Sequence, residues 1–114
     1  MNDKNQTFRH ISPTDARQRL AADSIALVDI RDPLSHAQGH IIDTVHLNDE
    51  NVGAYLKGAD RQRPLVVYCY HGNSSQLAAQ FFVEQGFEEV YSLDGGFDEW
   101  ARLYPETCRS ADGR

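Results

Sequence analysis

Only two cysteines, Cys69 and Cys108, occur in the 114-residue chain, too few for a disulfide framework at this size. No apolar stretch approaches the roughly 18 residues of a membrane span. No charged-then-apolar leader opens the sequence, so no membrane partner is expected and a reducing cytoplasm is the simplest location. Positive charge is also scarce, with 11 basic residues against 17 acidic ones and a net charge of −6. That balance argues against a general binder of nucleic acid or acidic membranes, either of which needs a basic face. It also means that an anionic substrate has to be held by local donors, against the field of the whole chain. Internal repeats and low-complexity tracts are missing, and nothing marks a second domain. What remains is ordinary for a globular domain, 40% hydrophobic and 25% charged, in a chain long enough to bury a core without staples.

The most informative stretch is Leu65 to Ser75, Leu-Val-Val-Tyr-Cys-Tyr-His-Gly-Asn-Ser-Ser. Leu65 to Tyr68 reads as a buried parallel strand. It ends on Cys69, a short polar loop follows, and a helical pattern opens near Ser75. Gly72 and Asn73 are residue types that let a loop curl until its N–H groups converge. Cys69 then faces amide donors and the positive end of a helix, both of which favour a thiolate. The alternative is an inert buried cysteine. Its place at the carboxyl end of a central strand, where open α/β sheets bind ligands, favours a functional thiol.

Around this stretch the pattern alternates. Phe8 to Ile11 suits a short edge strand. Ser12-Pro13-Thr14-Asp15 starts a helix that runs to about Ala22, with Ala16 and Leu20 inward. Ile25 to Ile30 is a second apolar strand, and Asp32 caps a short helix from Pro33 to Gly39. A third strand lies within Ile41 to Leu47, and Asn48 to Lys57 is helical. The helix from Ser75 to Gln85 offers Leu77, Ala78, Phe81 and Phe82 as a stripe for the sheet. Glu89 to Leu93 is the fifth strand. Asp94-Gly95-Gly96 then turns into a last helix with Phe97, Trp100 and Leu103 inward. The expected division is a flexible tail over 1–7, one domain over 8–105 and a second flexible tail over 106–114.

Asp29-Ile30-Arg31-Asp32-Pro33 with Gly39-His40-Ile41, then Cys69 to Ser75, then Asp94-Gly95-Gly96-Phe97 with Trp100, resemble the successive signatures of a rhodanese domain. The resemblance runs from about Phe8 to Pro105, and the loop is most similar to the single-domain thiosulfate sulfurtransferases of the GlpE type. It implies an α/β fold with a five-stranded, mainly parallel sheet flanked by helices on both faces. It also implies a catalytic cysteine at Cys69 and thiosulfate as sulfur donor. The expected chemistry is double displacement: the Cys69 thiolate takes the sulfane sulfur as a persulfide and passes it to an acceptor. Cyanide serves as an assay acceptor for the family, and a dithiol protein such as thioredoxin is the expected cellular one. No metal or organic cofactor is implied.

Many rhodanese loops carry arginine directly after the cysteine and again near the loop's end, where this chain has Tyr70 and Ser74. Anion binding is therefore expected to rest on the loop Tyr70, His71, Gly72, Asn73, Ser74 and Ser75, through its amides and the two serine hydroxyls. Asp29 and Arg31 are expected in support, Arg31 and His71 adding charge from nearby. Three other readings stay open. A sulfur-relay or non-catalytic binding module of the same fold is one. An oxyanion enzyme, a phosphatase or arsenate reductase, is another. A Cys-x5-Arg phosphatase would need an arginine at position 75, which is Ser75. A metal site from His36, His40 and Cys69 is the third and weakest, because Gly39 interrupts the helix that would align the histidines. His71 could pair with Cys69 as a base, although such partners usually come from separate elements.

Overall fold

The computed structural model describes residues 7–111. The expected tail over 1–7 therefore lies, but for the exposed Thr7, outside the described residues, as do the last three positions of the tail over 106–114. Seven strands are described: β1 (Arg9–Ile11), β2 (Ala26–Asp29), β3 (His40–Ile41), β4 (Thr44–His46), β5 (Leu65–Tyr68), β6 (Val90–Leu93) and β7 (Cys108–Arg109). Five helices join them: α1 (Pro13–Ala21), α2 (Pro33–Gln38), α3 (Val52–Gly58), α4 (Ser74–Glu84) and α5 (Gly96–Leu103).

The main sheet has the order β1-β6-β5-β2-β4, and all of its pairs are parallel. This is the expected α/β architecture, with β5 at the centre. Every residue of β5 and β6 is buried, as unbroken apolar runs require when helices cover both faces. Side chains alternate between two cores. Leu27, Val66, Tyr68, Tyr91 and Leu93 pack with Ala16 of α1 and Trp100 of α5. Val28, Leu65, Val67 and Val90 pack on the other face with Ala79 and Phe82 of α4, and with Tyr55 and Leu56 of α3.

Local signals place several ends. The Ser12 hydroxyl accepts the Asp15 N–H at 3.1 Å, and Pro13 occupies the first turn of α1. Asp32 accepts the Ser35 N–H at the start of α2, also at 3.1 Å. Gly86 follows α4 with φ +97, a conformation that glycine adopts without a side-chain penalty.

Three expectations are corrected. The inward stripe of α4 is Ser75, Ala79 and Phe82, with Ala78 half-buried; Leu77 is 83% exposed and Phe81 lies at the surface. Starting at Ser74, the helix turns its 75/79/82 face to the sheet, which carries Leu77 to the opposite side. Leu103 is likewise half-exposed, because α5 seats through Trp100 and Phe97. Residues 106–111 are not a loose tail. A 3₁₀ turn over Pro105–Thr107 leads into β7, which pairs antiparallel with β3, and the Ala111 N–H donates to the Ala37 carbonyl at 2.8 Å. The buried Thr107 hydroxyl accepts from Trp100 Nε1 at 2.7 Å, so the segment completes the polar contacts of a core tryptophan.

Candidate active site

The site forms where β5 ends. Cys69 follows Tyr68 at the carboxyl edge of the central strand and is 6% exposed. The chain then folds back over its sulfur. The Gly72 N–H and the Ser75 N–H each donate to Cys69 Sγ at 3.2 Å, and Ser75 Oγ lies 3.3 Å away. Burial pushes the Cys69 thiol up, but the Ser75 hydroxyl and the amides of Ser75, Gly72 and His71 outweigh it and leave its pKa below the ordinary thiol value. The eleven-residue α4 begins at Ser74, so its N-terminal dipole acts in the same direction.

Two glycines make this loop possible. Gly72 has φ +94, and a Cβ there would stand 3.0 Å from the Gly95 nitrogen. Gly96 has φ +60, and a Cβ there would fall 2.5 Å from the Tyr70 carbonyl oxygen. The Asp94-Gly95-Gly96 turn is thus the bed on which the loop lies. From the first turn of α5, the Phe97 N–H donates to the Cys69 carbonyl at 2.9 Å and the Asp98 N–H to the Tyr70 carbonyl at 3.0 Å. The loop's carbonyls are therefore held on the α5 side. A further strap, not expected from the sequence, is Gln76, whose Nε2 donates to the Gly72 carbonyl at 3.0 Å.

The remaining expected site residues separate by environment. Tyr70, His71, Asn73 and Ser74 are exposed. Asn73 has φ −94, an ordinary conformation, so Gly72 alone supplies the left-handed turn. His71 points to Asp98 of α5, with Nδ1 3.9 Å from Oδ2. Of the two serine hydroxyls, that of Ser75 faces the sulfur, whereas Ser74 lies at the surface.

Asp29 and Arg31 lie beneath the loop as a buried pair. Arg31 Nε and Nη2 donate to the Asp29 carboxylate at 3.0 and 2.7 Å, and the Arg31 backbone N–H adds a third bond at 2.8 Å. Nη2 also donates to the Gly39 carbonyl. The guanidinium lies 4.2 Å from the Phe97 ring centroid and 5.6 Å from that of Tyr70. Its charge is thus spent on Asp29 and on the rings that carry the loop. Burial pushes the Asp29 carboxyl up, but Arg31 and His36 outweigh it and hold its pKa below the usual carboxylate value. His36 Nδ1 donates to Asp29 Oδ2 at 2.8 Å, a partner the sequence did not suggest. The His36 ring stacks on His40 at 4.1 Å and on His46 at 4.6 Å. Burial, with the neighbouring imidazoles, lowers the His36 pKa despite Asp29. His40 donates to the His36 carbonyl at 2.8 Å, so it orders the turn after α2. Among the described residues no group of His, Cys, Asp and Glu side chains is placed to hold a metal ion.

One further residue touches the site without having been singled out. Ser92, buried on β6, lies with its Oγ 2.8 Å from Ser75 Oγ. The available signal was a hydroxyl in the middle of the otherwise apolar run Val90 to Leu93. Cys108 is a free, half-buried thiol on β7 whose pKa is raised by burial.

Comparison with known proteins identifies the family and the fold. Residues 12–103 match the family described as "Rhodanese-like domain". A "Thiosulfate sulfurtransferase GlpE" of Pseudomonas aeruginosa (strain LESB58) is 50% identical over 106 residues, covering 93% of this chain and 96% of the relative. Another, of Pseudomonas paraeruginosa, is 52% identical over 99 residues, covering 87% and 89%. Among solved structures, a rhodanese-like domain from Anabaena sp. superposes with a TM-score of 0.78 at 21% identity, covering 92% of this chain and 82% of that one. No described helix is long and apolar enough to cross a membrane.

Proposed function

Since the chain belongs to the rhodanese family, as a single-domain member of the GlpE type, we propose that it performs thiosulfate sulfur transfer through a persulfide on Cys69. The sulfurtransferase activity follows from the family and from the 50% identity with thiosulfate sulfurtransferases over most of the chain. The observation that carries the proposed route is the cluster of donors on the Cys69 sulfur, two amides at 3.2 Å and a hydroxyl at 3.3 Å. Such a cluster stabilises an anion at that point without needing a base.

In the first step the Cys69 thiolate attacks the outer sulfur of thiosulfate. The S–S bond of thiosulfate breaks, and its electron pair leaves with sulfite. The product is Cys69–S–S⁻, so the negative charge on the site's sulfur moves outward by one sulfur atom. In the second step a soft nucleophile takes the terminal sulfur and the electron pair of the broken bond returns to Cys69. Cyanide would leave as thiocyanate, and a thiolate of a dithiol protein such as thioredoxin would become a persulfide in turn. A reducing compartment such as the cytoplasm suits both free thiols.

The oxyanion-transfer alternative is disfavoured by chemistry. Position 75 is a serine bonded to the sulfur, and the Arg31 guanidinium is bound to Asp29. Intact-protein mass spectrometry after brief thiosulfate exposure tests the proposal. One added sulfur atom is expected, removed by cyanide, absent in Cys69→Ser and retained in Cys108→Ser. Absence of the adduct at every thiosulfate concentration would overturn it.

A further inference from the structure

We infer that Ser92 is a positioning residue for sulfur transfer: from β6, its hydroxyl fixes the Ser75 hydroxyl so that the Ser75 proton is directed at the Cys69 sulfur. The inference rests on the reading of Cys69 as the sulfur carrier, but its test does not require sulfur transfer to occur.

Ser92 belongs to the α4 side of the sheet. Its neighbours on β6, Tyr91 and Leu93, join the core against α1 and α5, whereas Val90 faces α4 with Val67. Ser92 pairs in register with Val67 and is 1% exposed, so a hydroxyl stands where the strand's pattern calls for an aliphatic side chain. Buried in that layer, it needs a partner, and Ser75 Oγ at 2.8 Å is that partner.

Proton counting gives the chain of bonds a direction. Each serine hydroxyl has one proton to donate and lone pairs to accept. A Cys69 thiolate has no proton, so its bond with Ser75 must use the Ser75 proton. The Ser75–Ser92 bond must then use the Ser92 proton. Ser92 donates to Ser75, Ser75 donates to the sulfur, and only this order satisfies all three atoms. When Cys69 is a thiol it can itself donate to Ser75, and the serine pair gains a second arrangement. Ser92 thus supports the ionised sulfur through a residue that touches it. Without the Ser92 hydroxyl, no donor fixes the rotation of the Ser75 hydroxyl, and its proton is no longer held toward the sulfur. The sulfur would then keep its two amides and lose the directed hydroxyl.

The charged groups around the loop are paired with one another. His71 and Asp98 face each other at 3.9 Å, both exposed. Asp29 and Arg31 neutralise each other below Tyr70. His10, the register neighbour of Ser92 on β1, pairs with Asp94 at 2.9 Å, and the first turn of α4 carries no acidic residue. Replacing Ser92 leaves these groups in place, so a change in Cys69 ionisation reports the hydroxyl pair.

The experiment measures the rate of Cys69 alkylation by iodoacetamide against pH, in a Cys108→Ser background. Ser92→Ala is expected to raise the midpoint by about 0.5–1 unit, a roughly threefold to tenfold lower rate below the midpoint, with the alkaline plateau unchanged. Ser92→Thr, which keeps the hydroxyl, should restore the midpoint. Ser75→Ala should raise it at least as far, and adding Ser92→Ala to it should change nothing further. Thermal unfolding of each variant separates loss of fold from loss of the bond, and a folded Ser92→Ala protein with the wild-type midpoint would overturn the inference. So would a full additional shift in the double variant, since Ser92 would then act by a route other than Ser75.

Discussion

Asp29→Asn is the substitution whose effect can be worked out most fully. The carboxylate is fully buried and accepts from Arg31 Nε and Nη2, the Arg31 N–H and His36 Nδ1. Asparagine keeps the shape but removes the charge, and the Arg31 side chain, 4% exposed, cannot turn to water. Removing one partner of a buried pair leaves the other charge uncompensated, a loss of about 3–5 kcal/mol. For a chain of this length about 4 °C accompanies each kcal/mol, so the unfolding midpoint should fall by roughly 12–20 °C. Urea unfolding at neutral pH, followed by circular dichroism and by Trp100 fluorescence, gives the free energy directly. The pH dependence adds a second check. Asp29 has a folded pKa below its ordinary 3.8, so its contribution is fully present above that value and is lost as pH falls through the folded pKa. Asp29→Asn should therefore lack part of the acid limb. Asp29→Asn with Arg31→Met, which removes the stranded charge as well, should be less destabilised than Asp29→Asn alone. A loss below about 1 kcal/mol in the single variant would refute the reasoning, because the pair would then have to be solvated.

Gly96→Ala would place a methyl 2.5 Å from the Tyr70 carbonyl at φ +60, so a loss of at least ~2 kcal/mol is expected, with the Cys69 alkylation midpoint moved toward that of an ordinary thiol; unchanged stability and midpoint would contradict the packing of the loop on this turn. Thr107→Val removes the acceptor of the buried Trp100 Nε1–H and should cost about 1–3 kcal/mol in urea unfolding, whereas a neutral result would mean that the 105–109 segment contributes nothing to the core. His36 has a folded pKa below its ordinary 6.5, so the unfolded chain takes up its proton first as pH falls. Stability should decline below that value until the folded pKa is reached, and His36→Gln should flatten the slope that begins near pH 6.5; an unaltered slope would assign the effect to another group.

The features that could be read along the chain are those that neighbours in sequence decide. A β-branched apolar run ending in cysteine, glycine and serines is at once a buried strand, a turn and a helix start. The backbone amides that meet the Cys69 sulfur come from within six residues of it. Ser12, Asp32 and Gly86 mark element ends for the same local reason. Even the Asp29–Arg31 pair spans only two residues, although its burial beneath Tyr70 could not be known from that spacing.

Tertiary structure decided which face of each element met its neighbour. Leu77 and Phe81 of α4, and Leu103 of α5, are apolar residues at helical spacing, yet packing seats Ala79, Phe82 and Trp100 and leaves them toward solvent. Periodicity supplies a stripe, whereas the docking angle chooses which edge of it is covered. Residues 106–111 looked polar enough to be loose, but the strand they offer and the hydroxyl of Thr107 acquire value only once β3 and Trp100 stand beside them. Ser92 is the sharpest case. In the chain it is one hydroxyl in an apolar strand; in the fold it lies 2.8 Å from a serine seventeen positions earlier. Short-range preferences select local conformation because few atoms are involved. Hydrogen bonds between distant residues depend on how whole layers pack, and sequence spacing carries no record of that distance.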